Sequence, residues 1–271
     1  SQPPLALRLQ GQVNPLALRE SLNYLIQRHE SLRTTFQAEN GEPMQIIAPH
    51  LIIELPVVSL KYLPAAERKL EAHRRIQVEA GQPFDLQRGP LVRAQLLEFD
   101  QADNLLLLTL HHIIFDGWSE EVLLRELTAS YTAFDRKTAP ELPMLPVQYA
   151  DYALWQREHL TPDLVEKHLT CWRQQLAGVP TILDLPLDRA RDIQKNQSSE
   201  HLFKLDDDAT AQLRKLGQKN DATLFATLLA AFHALLHRYS RQEQVLIGVP
   251  FAERTHSEVE NLIGFFVNSL P

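Results

Sequence analysis

Apolar and polar residues follow one another along this chain in patterns that predict its strands and helices. Residues 5–9 alternate leucine with smaller or polar side chains, which predicts an opening strand with one buried face. Asn14 followed by Pro15 predicts a helix start, because asparagine caps helix N-termini and proline suits the first helical position. Apolar residues then recur at helical spacing to about His29. The chain therefore opens with a strand and an amphipathic helix.

The later patterns predict a mixture of strands and helices. Asn40-Gly41 indicates a hairpin turn. The polar turn at residues 100–104 joins two apolar runs, 92–99 and 105–114, so we expect these strands to be antiparallel. Further strands are predicted at residues 51–60, 201–205, 244–249 and 262–267. The predicted order is βαβββαββααα, a connector, and then βααββ, which favours an α+β fold.

The length of the chain favours two lobes. Its 271 residues exceed the usual size of one domain, and 44% hydrophobic and 23% charged residues are typical of a globular protein. The segment after Gly178 has little periodicity and several charges. We therefore expect an N-terminal lobe at residues 1–178, a connector at 179–198, and part of a C-terminal lobe at 199–271.

Charge and cysteine content exclude several classes of protein. A net charge of −7 argues against nucleic acid and against an anionic membrane surface as partners. The sequence has no uninterrupted apolar segment of membrane-spanning length and no secretory signal pattern. Cys171 is the only cysteine, so the chain cannot form an internal disulfide, and a reducing compartment, the cytoplasm, is expected.

The chemistry of the chain is concentrated where the 105–114 run ends. His111, His112, Asp116 and Gly117 lie within seven positions, at the end of a predicted strand. Imidazole exchanges protons near neutral pH, so a histidine in a cleft can act as acid or base. Asp116 could orient the imidazole of His112 or pair with a cation and fix the loop, and the spacing leaves both open. Ser119 is predicted to cap the next helix.

Separated segments of the chain resemble those of condensation domains from nonribosomal peptide synthetases. His111-His112-x-x-x-Asp116-Gly117 resembles the HHxxxDG signature of that family, and residues 28–36 resemble its RHExLRTxF motif. Further family segments match, in the same order, at residues 83–93, 149–155, 248–254 and 263–268. One such match is weak, but their ordered series along nearly the whole chain is specific.

The resemblance implies both a fold and a reaction. The implied fold is like that of chloramphenicol acetyltransferase, with two lobes of mixed sheet and flanking helices, the second lobe incomplete here. The implied reaction is amide bond formation between a donor acyl or peptidyl thioester and an acceptor aminoacyl thioester. Donor and acceptor peptidyl carrier proteins would deliver both on 4'-phosphopantetheine, beside a neighbouring adenylation domain. No intrinsically bound cofactor or metal is expected.

The resemblance also implies roles for particular residues. His112 is the second histidine of the signature and is expected to act as a base or to position the amine. His111 is expected to be structural. Asp116 is expected to pair with Arg254, since a buried carboxylate is costly without a cation. Gly117 is expected to let substrate approach the backbone closely and to offer its amide to the oxyanion.

Other functions remain as alternatives. A freestanding acyl-CoA-dependent acyltransferase would share His112 and Asp116, and an inactive docking or recruitment relative would be expected to lack His112. An epimerisation domain usually carries Ser-Trp after the aspartate, whereas Gly117-Trp118-Ser119 follows here, and a cyclising relative would replace the histidine pair.

The chain begins within a strand pattern and ends directly after an apolar run. We therefore expect a piece of a longer domain, poorly active in isolation.

Overall fold

A computed structural model describes residues 4–187 and 201–271 of the chain. The chain divides into two compact units, the first containing the residues up to Thr161 together with Pro250–Asn268, and the second containing Pro162–Val249 with Ser269–Pro271. The expected division into an N-terminal lobe at residues 1–178 and part of a C-terminal lobe at 199–271 stays a prediction. The part of the expected connector from residue 188 onward lies outside the described residues.

The strands are β1 Leu5–Gln10, β2 Thr34–Glu39, β3 Glu42–Ile47, β4 Val57–Ser59, β5 Val92–Glu98, β6 Asp103–Leu110, β7 Val249–Phe251 and β8 Asn268–Leu270. The main sheet of the first unit has the order β1-β6-β5-β4. β6 is antiparallel to both β1 and β5, with Val92 opposite Leu110, and β4 is parallel to β5. The predicted pairing of β5 with β6 is confirmed.

The helices are α1 Pro15–Arg28, α2 Ala65–Gly81, α3 Gly117–Asp135, α4 Tyr149–His159, α5 Pro162–Gln175, α6 Asp207–Lys219 and α7 Leu224–Ser240. The Asn14 side chain accepts a hydrogen bond from Ala17 N–H, so the predicted cap of α1 is confirmed. Asn40 and Gly41 both have positive φ, as a tight hairpin between β2 and β3 requires.

Both faces of the main sheet are buried, which explains the uninterrupted leucines of β6. Leu106 and Leu108 lie in the core that α1 and α3 form on one face. Leu107, between them, lies on the other face in a smaller core with Ala72 of α2. Neighbouring strand residues point to opposite faces, so a strand covered on both sides reads as a continuous apolar run. β6 is therefore a rigid support for the residues that follow it.

Four predicted strands differ in the structure. Only Val57–Ser59 of the 51–60 run is a strand; before it, the side chain of Asn23 binds both the N–H and the carbonyl of Ile53. Residues 201–205 are exposed and form no strand, and in the 244–249 run only Val249 belongs to one. Residues 262–267 are apolar but form no strand, since side chains bind their backbone groups instead. An apolar run alone does not supply a partner strand.

The second unit consists mainly of the helices α5, α6 and α7. Asp206 caps α6 through Ala209 N–H, and Thr223 caps α7 through Ala226 N–H. No helix in the described parts of the chain is both long enough and apolar enough to cross a membrane.

Candidate active site

The site begins where β6 ends and α3 has not yet started. β6 stops at Leu110, and the His111 N–H still donates to the Leu91 carbonyl of the neighbouring loop. A short 3₁₀ turn, His112–Ile114, follows, and α3 begins at Gly117. Ile114 is buried in the core and anchors the turn, while His112 is exposed. The histidine pair thus lies in a turn rather than on the strand.

His112 has a defined tautomer. Its Nδ1 lies 2.6 Å from the carbonyl oxygen of Phe115. A carbonyl can only accept a hydrogen bond, so in the neutral imidazole Nδ1 carries the hydrogen and Nε2 keeps its lone pair. Among the described residues nothing forms a hydrogen bond with Nε2. The ring also meets the ring of Phe265, with centroids 4.9 Å apart and planes at 86°. His112 therefore offers an available base at an exposed position.

His111 has a different environment from its neighbour. Its Nδ1 accepts a hydrogen bond from Ile113 N–H at 3.1 Å, so it caps the 3₁₀ turn. Its half-buried ring packs perpendicular to Phe84, with centroids 5.8 Å apart. Burial lowers the pKa of His111, and the nearby His112 lowers it further. These contacts hold a neutral ring that stabilises the turn.

Asp116 is the cap of α3, in place of Ser119, which the sequence pattern had indicated. Its Oδ1 accepts hydrogen bonds from Ser119 N–H at 2.8 Å and Ser119 Oγ at 2.7 Å. Its Oδ1 also lies 3.2 Å from Arg254 Nη2, in an ion pair whose side chains are 2% and 1% exposed. The expected contact between Asp116 and Arg254 is present. The carboxylate lies at the positive end of the helix, where negative charge is stabilising.

Arg254 joins α3 to the late segment of the first unit. Its Nη1 donates to the carbonyls of Val259 and Leu262, both at 2.7 Å, and its guanidinium lies 4.0 Å from the ring centroid of Phe266. Burial lowers the pKa of Arg254, and the charge of Asp116 opposes that shift. The guanidinium stays protonated at neutral pH, so Asp116 keeps a charged partner in this buried ion pair.

Residues Ile263–Phe266, here called the docked segment, have their backbone bound by side chains. Ile263 N–H donates to His29 Nδ1 (3.3 Å) and the Ile263 carbonyl accepts from Ser31 Oγ (2.6 Å), Gly264 N–H donates to Ser119 Oγ (3.0 Å), the Phe265 carbonyl accepts from Tyr149 Oη (2.7 Å), and Phe266 N–H donates to Asp116 Oδ2 (3.0 Å). Side chains from several parts of the first unit thus fix a segment that has no ladder. Asp116 and Ser119 bind this segment and α3 at once.

The two glycines of the site are constrained differently. A Cβ on Gly264 would lie 2.4 Å from Cδ2 of Tyr149, so the docked segment needs a glycine where that ring packs. A Cβ on Gly117 would meet no atom within 4 Å, and the φ of Gly117 is not positive. The fold therefore accepts a side chain at position 117.

A buried histidine, His29, binds the backbone of the docked segment through Ile263 N–H. His29 Nε2 lies 2.8 Å from Glu126 Oε2, and Arg28 also pairs with Glu126 at 3.0 Å. Because Nδ1 of His29 accepts from Ile263 N–H, Nε2 carries the hydrogen and donates to Glu126. Burial lowers the pKa of His29 despite the carboxylate. In the sequence, His29 is a predicted helix end and part of the matching segment 28–36, without a role of its own.

Other contributors were also missed from the sequence. Tyr149 was part of the matching segment 149–155 without a role, yet its hydroxyl donates a hydrogen bond to the Phe265 carbonyl, and burial raises the pKa of Tyr149 to about 12. Phe265 was part of a matching segment without a role. The signal for both residues is the pair of segment matches at 149–155 and 263–268, because apolar periodicity predicts secondary structure there but gives no role to a single side chain.

Comparisons with known proteins point to one family. The condensation domain family model matches residues 2–271. The chain is 48% identical over 268 residues to one of the linear gramicidin synthase proteins of Brevibacillus parabrevis, covering 98% of the chain and 5% of that protein. It is 42% identical over 266 residues to phosphinothricin tripeptide synthetase PhsC of Streptomyces viridochromogenes, covering 98% of the chain and 24% of that protein. The chain therefore spans a small part of either relative.

A solved structure gives the same result for the fold. The X-domain from teicoplanin biosynthesis is 31% identical, with a TM-score of 0.86 over 99% of this chain and 59% of that one. The α+β fold of the chloramphenicol acetyltransferase-like class, expected from the sequence, is confirmed. With a family model matching nearly every residue and the signature histidine exposed at the end of β6, the chain belongs to the condensation domain family.

Proposed function

We propose that the chain catalyses amide bond formation between a donor acyl or peptidyl thioester and an acceptor aminoacyl thioester. Membership of the condensation domain family supports this reaction, as do relatives that are named peptide synthetases. Donor and acceptor are each carried on the 4'-phosphopantetheine arm of a carrier protein, with an adenylation domain as neighbour. The arms arrive with the substrates, so the chain needs no resident cofactor.

The reaction needs little activation of the donor, because a thioester is already reactive. The acceptor amine attacks the thioester carbonyl, the C–N bond forms, and the C–S bond breaks. The amine loses a proton, and the thiolate leaving group gains one. The main demands are therefore orientation of the tethered reactants and a place for that proton.

The observation that carries the proposal is the state of His112. Its Nδ1–H is committed to the Phe115 carbonyl, and its Nε2 lone pair lies on an exposed ring. Nε2 can accept a hydrogen bond from the attacking amine and then its proton, which includes both the positioning role and the base role. His111, with Nδ1 already accepting from Ile113, serves the turn instead.

Gly117 and the ion pair complete the proposed site. The fold leaves open space at the Cα of Gly117, the first residue of α3, so a substrate can approach its backbone closely. The Gly117 amide at the helix N-terminus can then stabilise the oxyanion of the tetrahedral intermediate. Asp116 and Arg254 hold the helix start in place and do not touch the reacting atoms.

The test is amide formation by the full-length protein with loaded carrier proteins, followed by mass spectrometry of the acceptor carrier. His112→Ala should lower the rate by about 10²–10⁴-fold, the usual contribution of acid–base catalysis. The matched control is His111→Asn, whose side-chain oxygen can still accept from Ile113 N–H, and it should retain most of the activity.

The same assay tests the alternative functions. A freestanding acyltransferase would use the donor as a soluble coenzyme A thioester as efficiently as on a carrier protein, and that result would overturn the proposal. A recruitment domain would form no amide at all, with or without His112. Equal rates for the wild type and His112→Ala would remove the role assigned to that imidazole.

A further inference from the structure

Phe265 is the residue of the docked segment that faces His112. Its neighbour Phe266 is buried in a core with Tyr152 and Val259, and Ile263 is buried in the main core. Phe265 is half-buried, and its ring lies perpendicular to the imidazole at a centroid distance of 4.9 Å. The segment thus places one aromatic ring beside the exposed histidine.

His112 needs such a contact because its other restraint is a single hydrogen bond. The bond from Nδ1 to the Phe115 carbonyl fixes one atom of an exposed ring. Terminal torsions of a histidine ring are broad, so one bond leaves the plane of the ring free to tilt. A perpendicular ring in contact with the imidazole restricts that tilt, because the favourable edge-to-face geometry is lost when the ring turns.

The rings of His112 and Phe265 belong to two backbone segments that are joined to each other by hydrogen bonds. His112 Nδ1 is bonded to the carbonyl of Phe115, and the next residue, Asp116, accepts from Phe266 N–H at 3.0 Å. Phe265 precedes Phe266, and its ring contacts His112, so the two segments meet at this second point as well. The Phe265 carbonyl is also held by Tyr149 Oη at 2.7 Å. The backbone that carries Phe265 is therefore fixed relative to the backbone that carries His112.

We propose that Phe265 is a positioning residue for His112, which keeps the imidazole in the Nδ1–H tautomer with Nε2 directed to the acceptor amine. The proposal rests on the proposed function for its effect on rate. An edge-to-face pair changes an equilibrium by a factor of about 2 to 12 beyond the area that it buries. Loss of the ring should reduce the ratio of correctly oriented to misoriented imidazole by that factor, so the correctly oriented population falls by up to about 12-fold.

The experiment compares Phe265→Leu and Phe265→Tyr in the full-length protein. Leucine keeps the apolar side chain without an aromatic edge, and tyrosine keeps the ring. Phe134→Leu is the matched control, since it removes the edge-to-face contact between Phe134 and Tyr24, whose centroids are 6.0 Å apart, elsewhere in the first unit. The readouts are kcat for amide formation and the tautomer of His112 from ¹⁵N chemical shifts.

Phe265→Leu should lower kcat by up to about 12-fold and raise the population of the Nε2–H tautomer of His112, whereas Phe265→Tyr and Phe134→Leu should resemble the wild type. Wild-type kcat and tautomer in Phe265→Leu would overturn the proposal. So would equal losses of kcat in Phe265→Leu and Phe134→Leu, which would mark a general loss of stability. If His112→Ala in parallel keeps its rate, the proposed function fails, while the ¹⁵N shifts still decide whether Phe265 orients the ring.

Discussion

Replacing Asp116 with asparagine should destabilise the first turns of α3. The substitution keeps the size of the side chain but removes the charge that faces Arg254 at 3.2 Å. It also puts an amide NH₂ at one of the two acceptor positions, which now serve Ser119 and Phe266 N–H. A buried guanidinium then lacks its counterion, and one backbone N–H faces a donor.

The size of the effect follows from burial. The side chains of Asp116 and Arg254 are 2% and 1% exposed, so water cannot compensate for the lost charge. Breaking a buried pair by removing one partner costs about 3–5 kcal/mol. Asp103→Asn is the matched control, because Asp103 pairs with Arg8 at 2.6 Å on a surface where the arginine is 62% exposed. Solvent screens that pair, so its loss should have little effect on stability.

Hydrogen exchange measured by mass spectrometry tests this prediction, because it reports protection separately for each segment. Amides in the first turns of α3 and in the docked segment should exchange faster in Asp116→Asn, by about 10²-fold or more, while those of β1 stay protected. Asp103→Asn should leave α3 unchanged. Unaltered protection of α3 in Asp116→Asn would refute the reasoning that this ion pair holds the helix start.

Three further predictions test other parts of the structure. Gly117→Ala should leave the free energy of unfolding unchanged or raise it by up to about 1 kcal/mol, since the Cβ meets no atom and alanine favours helix, yet should lower amide formation, and a variant with full activity would contradict the proposed approach of substrate. Gly264→Ala should cost about 1–3 kcal/mol in urea unfolding, because its Cβ would lie 2.4 Å from Tyr149, and a neutral effect would contradict the packing described. Burial lowers the pKa of His29 below 6.5, so the contribution of the neutral ring to stability is complete above that pH and is lost as the pH falls through the lower value. His29→Gln should flatten the decline of stability below pH 6.5, and an unchanged slope of stability against pH would contradict this role of His29.

The sequence predicted those parts of the fold that local patterns determine. The cap at Asn14, the hairpin at Asn40-Gly41 and the antiparallel pair of β5 and β6 depend on short-range chemistry, and all three are present. Strands that need a distant partner were predicted less well. Residues 262–267 look like a buried strand, but their backbone is bound by side chains far away in the sequence, which periodicity does not reveal.

In the site, too, residues in a local motif could be predicted from the sequence, and contacts between distant residues were harder to predict. His112 and Asp116 were identified from their motif, and the contact of Asp116 with Arg254 is present, although 138 positions separate them in sequence. Periodicity alone would not have joined them. The helix cap was assigned to Ser119 rather than to Asp116, because both residue types cap helices and only the geometry of the turn distinguishes them. The contact of Phe265 with His112 has no sequence pattern that could have predicted it.

The most direct test of the central claim is the single-turnover rate of amide formation with His112→Ala, measured with and without added imidazole. Single-turnover conditions report the chemical step apart from exchange of carrier proteins. The account predicts a rate about 10²–10⁴-fold below that of the wild type, partly restored by imidazole, because the exposed position of the missing ring is open to solvent. A single-turnover rate equal to that of the wild type would contradict it.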